Sequence, residues 1–197
     1  MKRHASRAAG FTMVELIVVM VIMGILSAVA VERFFDNATF EAREYADQVK
    51  TVIRYAQKLA IAQNRAIYVS APAGRFAVCT ASGCAAGTLV TAPAGANSGS
   101  SATKSACTSA GSYVSTWMCE GQPTTVSLSV PAGRGTEVGG ASSYFGFDAM
   151  GRPYNKADTI PAIGAPSAST FTQLILTFSG SGVSYTVTIE PETGYVH

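Results

Sequence analysis

Three hydrophobic patterns follow one another along the chain. Residues 11–31 read FTMVELIVVMVIMGILSAVAV, an apolar run whose only charged side chain is Glu15. As a helix rising 1.5 Å per residue it would be about 32 Å long, close to the hydrocarbon thickness of a bilayer. Over residues 34–63 the apolar positions instead recur at helical spacing, through Ala38, Ala42, Tyr45, Ala46, Val49, Val52, Ile53, Ala56, Leu59 and Ala60. That spacing makes one face of an amphipathic helix, and the face needs a partner. Beyond Gln63 the period shortens. Residues 66–70 and 75–80, turned around Pro72 and Gly74, predict a hairpin, and residues 171–178 and 183–190 flank Ser179-Gly180-Ser181-Gly182 as a second one. Strands are also predicted at 113–119, 124–130 and 144–148.

With no helical segment between these strands, the pattern argues against a doubly wound sheet. The predicted fold class is α+β: a long N-terminal helix, transmembrane and then amphipathic, packed on an antiparallel β-sheet head. The expected division is a leader at 1–10, a transmembrane helix at 11–31, its amphipathic continuation at 32–64 and a β-rich head at 65–197. Residues 94–112 are almost wholly Ala, Gly, Ser, Thr and Asn. They are read as a long exposed loop, too poor in apolar side chains to build a core.

Charge orients the chain. Lys2, Arg3 and Arg7 precede the apolar run and no acid accompanies them, so the positive-inside rule keeps residues 1–10 cytoplasmic and sends the head across the membrane. The formal charge is +2, and losing the leader's three cations turns it into −1. A chain so close to neutral offers no overall electrostatic reason to bind nucleic acid. On the amphipathic helix, Arg43, Asp47, Lys50, Arg54 and Lys58 form a mostly basic stripe, read either as a solvated face or as a contact for acidic neighbours.

Cys79, Cys84, Cys107 and Cys119 all fall in the segment placed outside the cytoplasm, where disulfides form. Three connectivities are open; sequence proximity favours Cys79 with Cys84 and Cys107 with Cys119, because short loops are cheapest to close. Zinc is the rival, but the spacing is not CxxC and the only histidines are His4 and His197. No metal or cofactor is expected. Catalysis is not expected either. No nucleophile motif occurs, and Asp148, Asp158 and Glu137 are the only acids considered as a carboxylate pair, with Asp148 reading more simply as a turn residue.

Glu15 is the feature that ordinary export signals leave unexplained. A secretory signal peptide cut near Ser27-Ala28-Val29-Ala30 or a plain signal anchor would account for the apolar run but not for a carboxylate inside it. If the chain is cut after Gly10, the new amine of Phe11 becomes a candidate partner for Glu15. The run Gly10-Phe11-Thr12-Met13-Val14-Glu15-Leu16 resembles the GFTLxEL signature of type IV pilins and type II secretion pseudopilins. The resemblance implies cleavage after Gly10 by prepilin peptidase, N-methylation of Phe11, and a helix that packs in a filament core with Glu15 meeting the Phe11 amine. It departs from many relatives in having Glu32 where they have proline. The helix then has no intrinsic break there, and Gly24 is its weak point.

Three head segments add a second resemblance: VIRYAQKLAIAQNRAIYV from Val52, FGFDAMGRP from Phe145, and VTIEPETGYV near the end. They resemble minor pilins and pseudopilins of the FimT and GspH class, most of all those of mannose-sensitive haemagglutinin-type pili. The implied function is that of a minor type IV pilin that initiates or caps a filament. The alternatives are a minor pseudopilin of a type II secretion system and a membrane-anchored adhesive module. Implied partners are other pilins through the N-terminal helix, prepilin peptidase and an inner-membrane assembly platform. The implied location is the bacterial inner membrane, with a periplasmic head, and then the filament. Some FimT-like proteins bind DNA through a basic end; residues 190–197 here hold two acids and no arginine, which leaves only Arg152 and Lys156 as basic candidates.

Overall fold

The computed structural model describes residues 11–34, 37–134, 136–161 and 168–197, and side chains within 28–34 are not described. The predicted leader with Gly10 lies outside these residues. So do Phe35 and Asp36, where the helix was expected to run on unbroken, and the side chain of Glu32. The chain divides into two compact units after Asn37.

In the first unit, helix α1 spans Met13–Phe34. Helix α2, Asn37–Gln63, leads the second and buries Ala42, Tyr45, Ala46, Val49, Val52, Ile53, Ala56 and Ala60, the face that the spacing predicts. It ends on Asn64 with φ 51°, where Arg65 N–H reaches back to Ala60 O at 3.1 Å and Asn64 N–H to Ile61 O at 3.2 Å. Asparagine tolerates this left-handed cap, and the two bonds satisfy carbonyls that the helix end would orphan.

The strands follow as β1 (Ile67–Ser70), β2 (Arg75–Cys79), β3 (Thr108–Ser109), β4 (Ser112–Tyr113) and β5 (Cys119–Gly121). Then come β6 (Ser127–Ser129), β7 (Tyr144–Phe147), β8 (Pro153–Tyr154), β9 (Leu174–Gly180) and β10 (Val183–Ile189). A five-stranded sheet has the order β5-β2-β1-β7-β8, a three-stranded one the order β10-β9-β6, and β3 pairs only with β4. Every pairing is antiparallel. The fold class is therefore α+β, a helix on an antiparallel head, as the pattern predicts.

Phe178 on β9 joins the three layers. Its ring stands edge-on to Tyr45 of α2 at 5.4 Å and tilts against Phe76 of β2 at 6.3 Å. All three rings are buried. Helix and both sheets thus contribute to one core. Strand β2 serves two cores through its alternation, because Phe76 and Val78 join the α2 side while Ala77 and Cys79 face the other way.

That second core is where the sequence reading needs correction. Residues 94–112 are not a loose loop: they hold helix α3 (Ser101–Ala106), capped by the Ser100 hydroxyl accepting from Thr103 N–H at 3.1 Å. Hydrogen bonds replace apolar burial. The buried Thr103 hydroxyl donates to Glu120 at 2.8 Å and accepts from Gly121 N–H at 3.0 Å, and Ser98 also donates to Glu120. Glycine is required at 121, since a Cβ there would lie 2.3 Å from Ala102 O. Nor is 113–119 one strand. The chain turns between β4 and β5 so that Trp117 is buried with the cystines, its indole N–H on Val78 O at 2.9 Å and the Arg75 guanidinium over its ring at 5.2 Å. Cys79 is bonded to Cys84 and Cys107 to Cys119.

Truncating Phe178 to Ala should remove the shared contact of all three layers. The expected cost is about 3–5 kcal/mol, read as a lowered melting midpoint by near-ultraviolet circular dichroism. A loss below about 1 kcal/mol would mean that helix and sheets hold together without it.

Candidate functional site

Helix α1 starts on Thr12. Its hydroxyl accepts from Glu15 N–H at 3.3 Å and its carbonyl from Leu16 N–H at 3.2 Å. A Thr-x-x-Glu start is the sequence of a capping box, and a carboxylate in the first turn also sits at the positive end of the helix dipole. Glu15 is thus placed where a negative charge is favoured even without a second chain. The large apolar side chains from Met13 to Leu26, among them Val14, Leu16, Ile17 and Met20, are all exposed, and Phe11 before them is 78% exposed. Among the described residues no helix is long and apolar enough to cross a membrane. The stretch of α1 with described side chains, 13–27, falls short of the roughly 20 residues a crossing needs.

On the head, α2 presents a second device. Arg54 donates from Nε and Nη2 to Val196 O at 2.9 and 2.7 Å, and one turn on Gln57 Nε2 donates to Thr193 O at 2.8 Å and Gly151 O at 3.1 Å. Arg152 and Glu192 pair beside them at 2.9 Å. Gly194, at φ 63°, is buried there, and a Cβ on it would stand 2.2 Å from Gly151 O and 2.7 Å from Gln57 Nε2. The three segments behind the second resemblance therefore meet at one junction. They lie far apart in sequence, and no motif singles out Gln57 or Gly194; the shared signal is two glycines in turns, Gly151 and Gly194, and a helix that carries Arg and Gln one turn apart.

The closing segment then folds back along β10. His197 N–H donates to Thr188 O at 3.0 Å, Thr188 N–H to His197 O at 2.9 Å, and Glu190 N–H to Tyr195 O at 2.9 Å. The side chains repeat the link. Gln173 donates to Glu190 at 2.9 Å and the His197 ring lies 3.2 Å from it, stacked on Tyr195. The hydrogen bond from Gln173, then that from His197, holds the Glu190 carboxyl below its usual range.

The other candidate residues are engaged structurally. Asp148 Oδ1 accepts from the amides of Met150 and Arg152 at 2.8 and 2.9 Å, the turn that FDAMGRP predicts. Glu137 pairs with Arg134 at 3.2 Å. Asp158 accepts from Thr170 and from Asn155 N–H; partial burial raises its carboxyl, but these bonds outweigh it and the net shift is downward. Lys156 donates to Ser142 O at 2.7 Å and lies over the Tyr144 ring. With Arg152 in its ion pair, neither basic candidate for phosphate is uncommitted. The stripe on α2 also divides, since Arg54 is the clamp described above while Arg43, Asp47 and Lys58 stay exposed. Among the described residues no group of His, Cys, Asp or Glu is arranged to hold a metal ion. Among the described residues an open groove of about 590 Å³ runs along α2 past Phe40, Asp47 and Met118.

An exposed apolar helix started by Thr12 and Glu15, ahead of an α+β head built on a second helix, makes this chain type IV pilin-like. Residues 5–31 match the family described as the prokaryotic N-terminal methylation motif. Over 61 residues the chain is 41% identical to the type IV narrow pilus major component PilA5 of Thermus thermophilus, a match covering 31% of this chain and 53% of that protein. The match thus spans about half the length of that relative. Two crystal structures of the type IV minor pilin FimU of Pseudomonas aeruginosa PAO1 superpose with TM-scores of 0.43 and 0.41. Their identities are 13% and 12%, and they cover 81% and 79% of this chain and 88% and 90% of FimU.

Replacing Gly194 with Ala should force the junction apart, at about 1–3 kcal/mol as for other overpacked sites. An unchanged melting midpoint would show that the junction yields freely. Acid should loosen the same end. Because the folded Glu190 carboxyl sits below its unfolded value of about 4.3, its contribution is complete above that value and is lost as pH falls through the folded one. The protection of the Thr188 and His197 amides, read as the ratio of intrinsic to observed exchange rate, should fall as pH drops below that unfolded value, and more than that of Val69 on β1, whose partners do not titrate; an equal fall would refute the link.

Proposed function

We propose that the chain is a minor type IV pilin. It is cut after Gly10, methylated on Phe11, held in the inner membrane by residues 11–31 with its head in the periplasm, and then inserted into a filament that it initiates or caps. The observation that carries this is α1. A run of large apolar side chains is exposed from Met13 to Leu26, and it begins on a Thr-x-x-Glu start. Such a surface is stable only in lipid or against other subunits.

Glu15 supplies the register. After cleavage the Phe11 nitrogen is a cation one helical turn from Glu15 on the same chain, and a neighbour whose helix is shifted by a turn offers the same cation in trans. In a medium of low dielectric an unpaired carboxylate is costly, so a subunit seats where the pair closes. Prepilin peptidase, the assembly platform and other pilins are the partners. The initiating or capping role rests on the head segments that resemble the FimT and GspH class and that meet at the Gln57 junction.

Glu15→Leu should leave the chain in the membrane fraction with an unchanged head and reduce its recovery in sheared filaments about tenfold or more. Gly10→Ala should leave the leader attached, visible as a chain of higher mass, and block incorporation. Filament recovery of Glu15→Leu at the parental level would refute the proposal in favour of a tethered head.

A further inference from the structure

Antiparallel sheets end in edges, and an edge with free N–H and C=O groups is a template for another chain unless it is short, charged, kinked or covered. Among the described residues the two larger sheets have four edges, and three of them are guarded in these ways. Strand β8 has two residues, one of them Pro153. Strand β5 has three and is covered by α3, whose Ala102 backbone closes on Gly121. Strand β6 has three as well.

Strand β10 differs. It runs seven residues, VSYTVTI, with no charge and no proline. Its turn into β9 is the two-residue Ser181-Gly182 loop with φ 48° and 80°, which sets a regular register of Val183 on Gly180, Tyr185 on Phe178 and Val187 on Leu176. Thr188 shows which residues point outward, since its N–H and C=O both bond His197 on the side away from β9. Backbone direction alternates along a strand, so Ser184 and Thr186 point the same way as Thr188. Among the described residues nothing bonds their backbone groups. The closing segment thus covers the edge at Thr188 and Glu190 and leaves the stretch Val183–Val187 uncovered, where Ser184 and Thr186 are exposed and turn their backbone groups outward.

We infer that this open edge receives an extended, uncharged strand from a different subunit, which adds to the β10-β9-β6 sheet in line with the closing segment. A second copy is the poorer occupant for two reasons. Among the described strands the other edges are too short or covered to match five residues, which leaves β10 itself as the strand a copy could offer. Antiparallel pairing of β10 with β10, the mode of every pairing in this head, places a two-fold axis perpendicular to the sheet, and that axis reverses α2, which lies against the sheet. A polar filament keeps those helices parallel. This last step rests on the filament reading above.

The mode is strand addition, in which main-chain bonds supply affinity and the side chains on either face supply specificity. Ser184 and Thr186 face solvent and would contact the added strand's outer side chains, while Tyr185 and Val187 hold the inner register. Thr186 N–H is the group such a strand must use.

The test uses the full chain in cells that assemble the filament. Thr186→Pro deletes an N–H that bonds nothing among the described residues, so the melting midpoint should hold while filament incorporation falls about tenfold or more. Thr186→Lys guards the edge by charge and should act the same way even if proline perturbs the strand. A benzophenone side chain at position 184 should cross-link, after assembly, to an extended segment of a non-identical subunit identified by peptide mapping. Incorporation of both variants at the parental level, or cross-links only to a second copy, overturns the inference. Glu15→Leu in the same cells separates the two readings: if it blocks incorporation while the edge variants do not, the edge inference fails and the filament reading stands.

Discussion

The head depends on α2 having a single apolar face that must serve two sheets at once. Phe178 makes this work, because one ring touches Tyr45 of the helix and Phe76 of the larger sheet while belonging to the smaller one. Helix side chains at the contact are small where backbones come close: Ala38 approaches Gly180 so nearly that a Cβ on that glycine would meet its carbonyl at 2.2 Å. Aromatic side chains fill the remaining depth. The polar edge of the same helix then fixes the angle, with Arg54 and Gln57 holding three carbonyls that belong to segments far away in sequence. Apolar burial supplies the affinity of helix for sheet, and these directional bonds select one orientation among the many that burial alone would permit.

This division explains what could be read from the sequence. The helical period from Ala42 to Ala60 was legible because one face is wholly buried and the other is not. The β9–β10 hairpin was legible because Ser181-Gly182 announces a turn between two alternating runs. The segment around α3 was not, since serine and threonine side chains signal a loop whether or not they are satisfied. Only the partner acid, Glu120, decides, and it lies well outside the stretch. Strand 113–119 failed for a related reason. Trp117 and Cys119 have strand-like composition, but the indole N–H needs an acceptor and finds Val78 O by leaving the ladder.

The candidate site was legible in its motif and not in its geometry. Gly10, Phe11 and Glu15 follow from a contiguous pattern, and Gly10 lies outside the described residues. The structure adds that Thr12 and Glu15 also form an ordinary helix start, which lowers the cost assigned to that carboxylate from sequence. The basic stripe shows the opposite error: equal spacing made Arg54 look like its neighbours, whereas it is committed to Val196 O and is not free for a partner.

The two halves of the chain thus expose two different unsatisfied surfaces, and the difference in chemistry implies a difference in selectivity. The apolar side chains of α1 match any similar helix or a lipid tail, so packing there is permissive, and on the reading proposed above Glu15 is what discriminates register. The β10 edge offers hydrogen bonds with fixed spacing and direction, which only an extended backbone can meet. A subunit with only the first surface would enter a helical core wherever register allowed. One with both is restricted to the place where a neighbour presents a strand, and a strand edge that stops after five residues at the chain's own closing segment limits how long that neighbour's strand can be. Such a limit is what a subunit needs if it is to take a specific neighbour without nucleating an indefinite sheet.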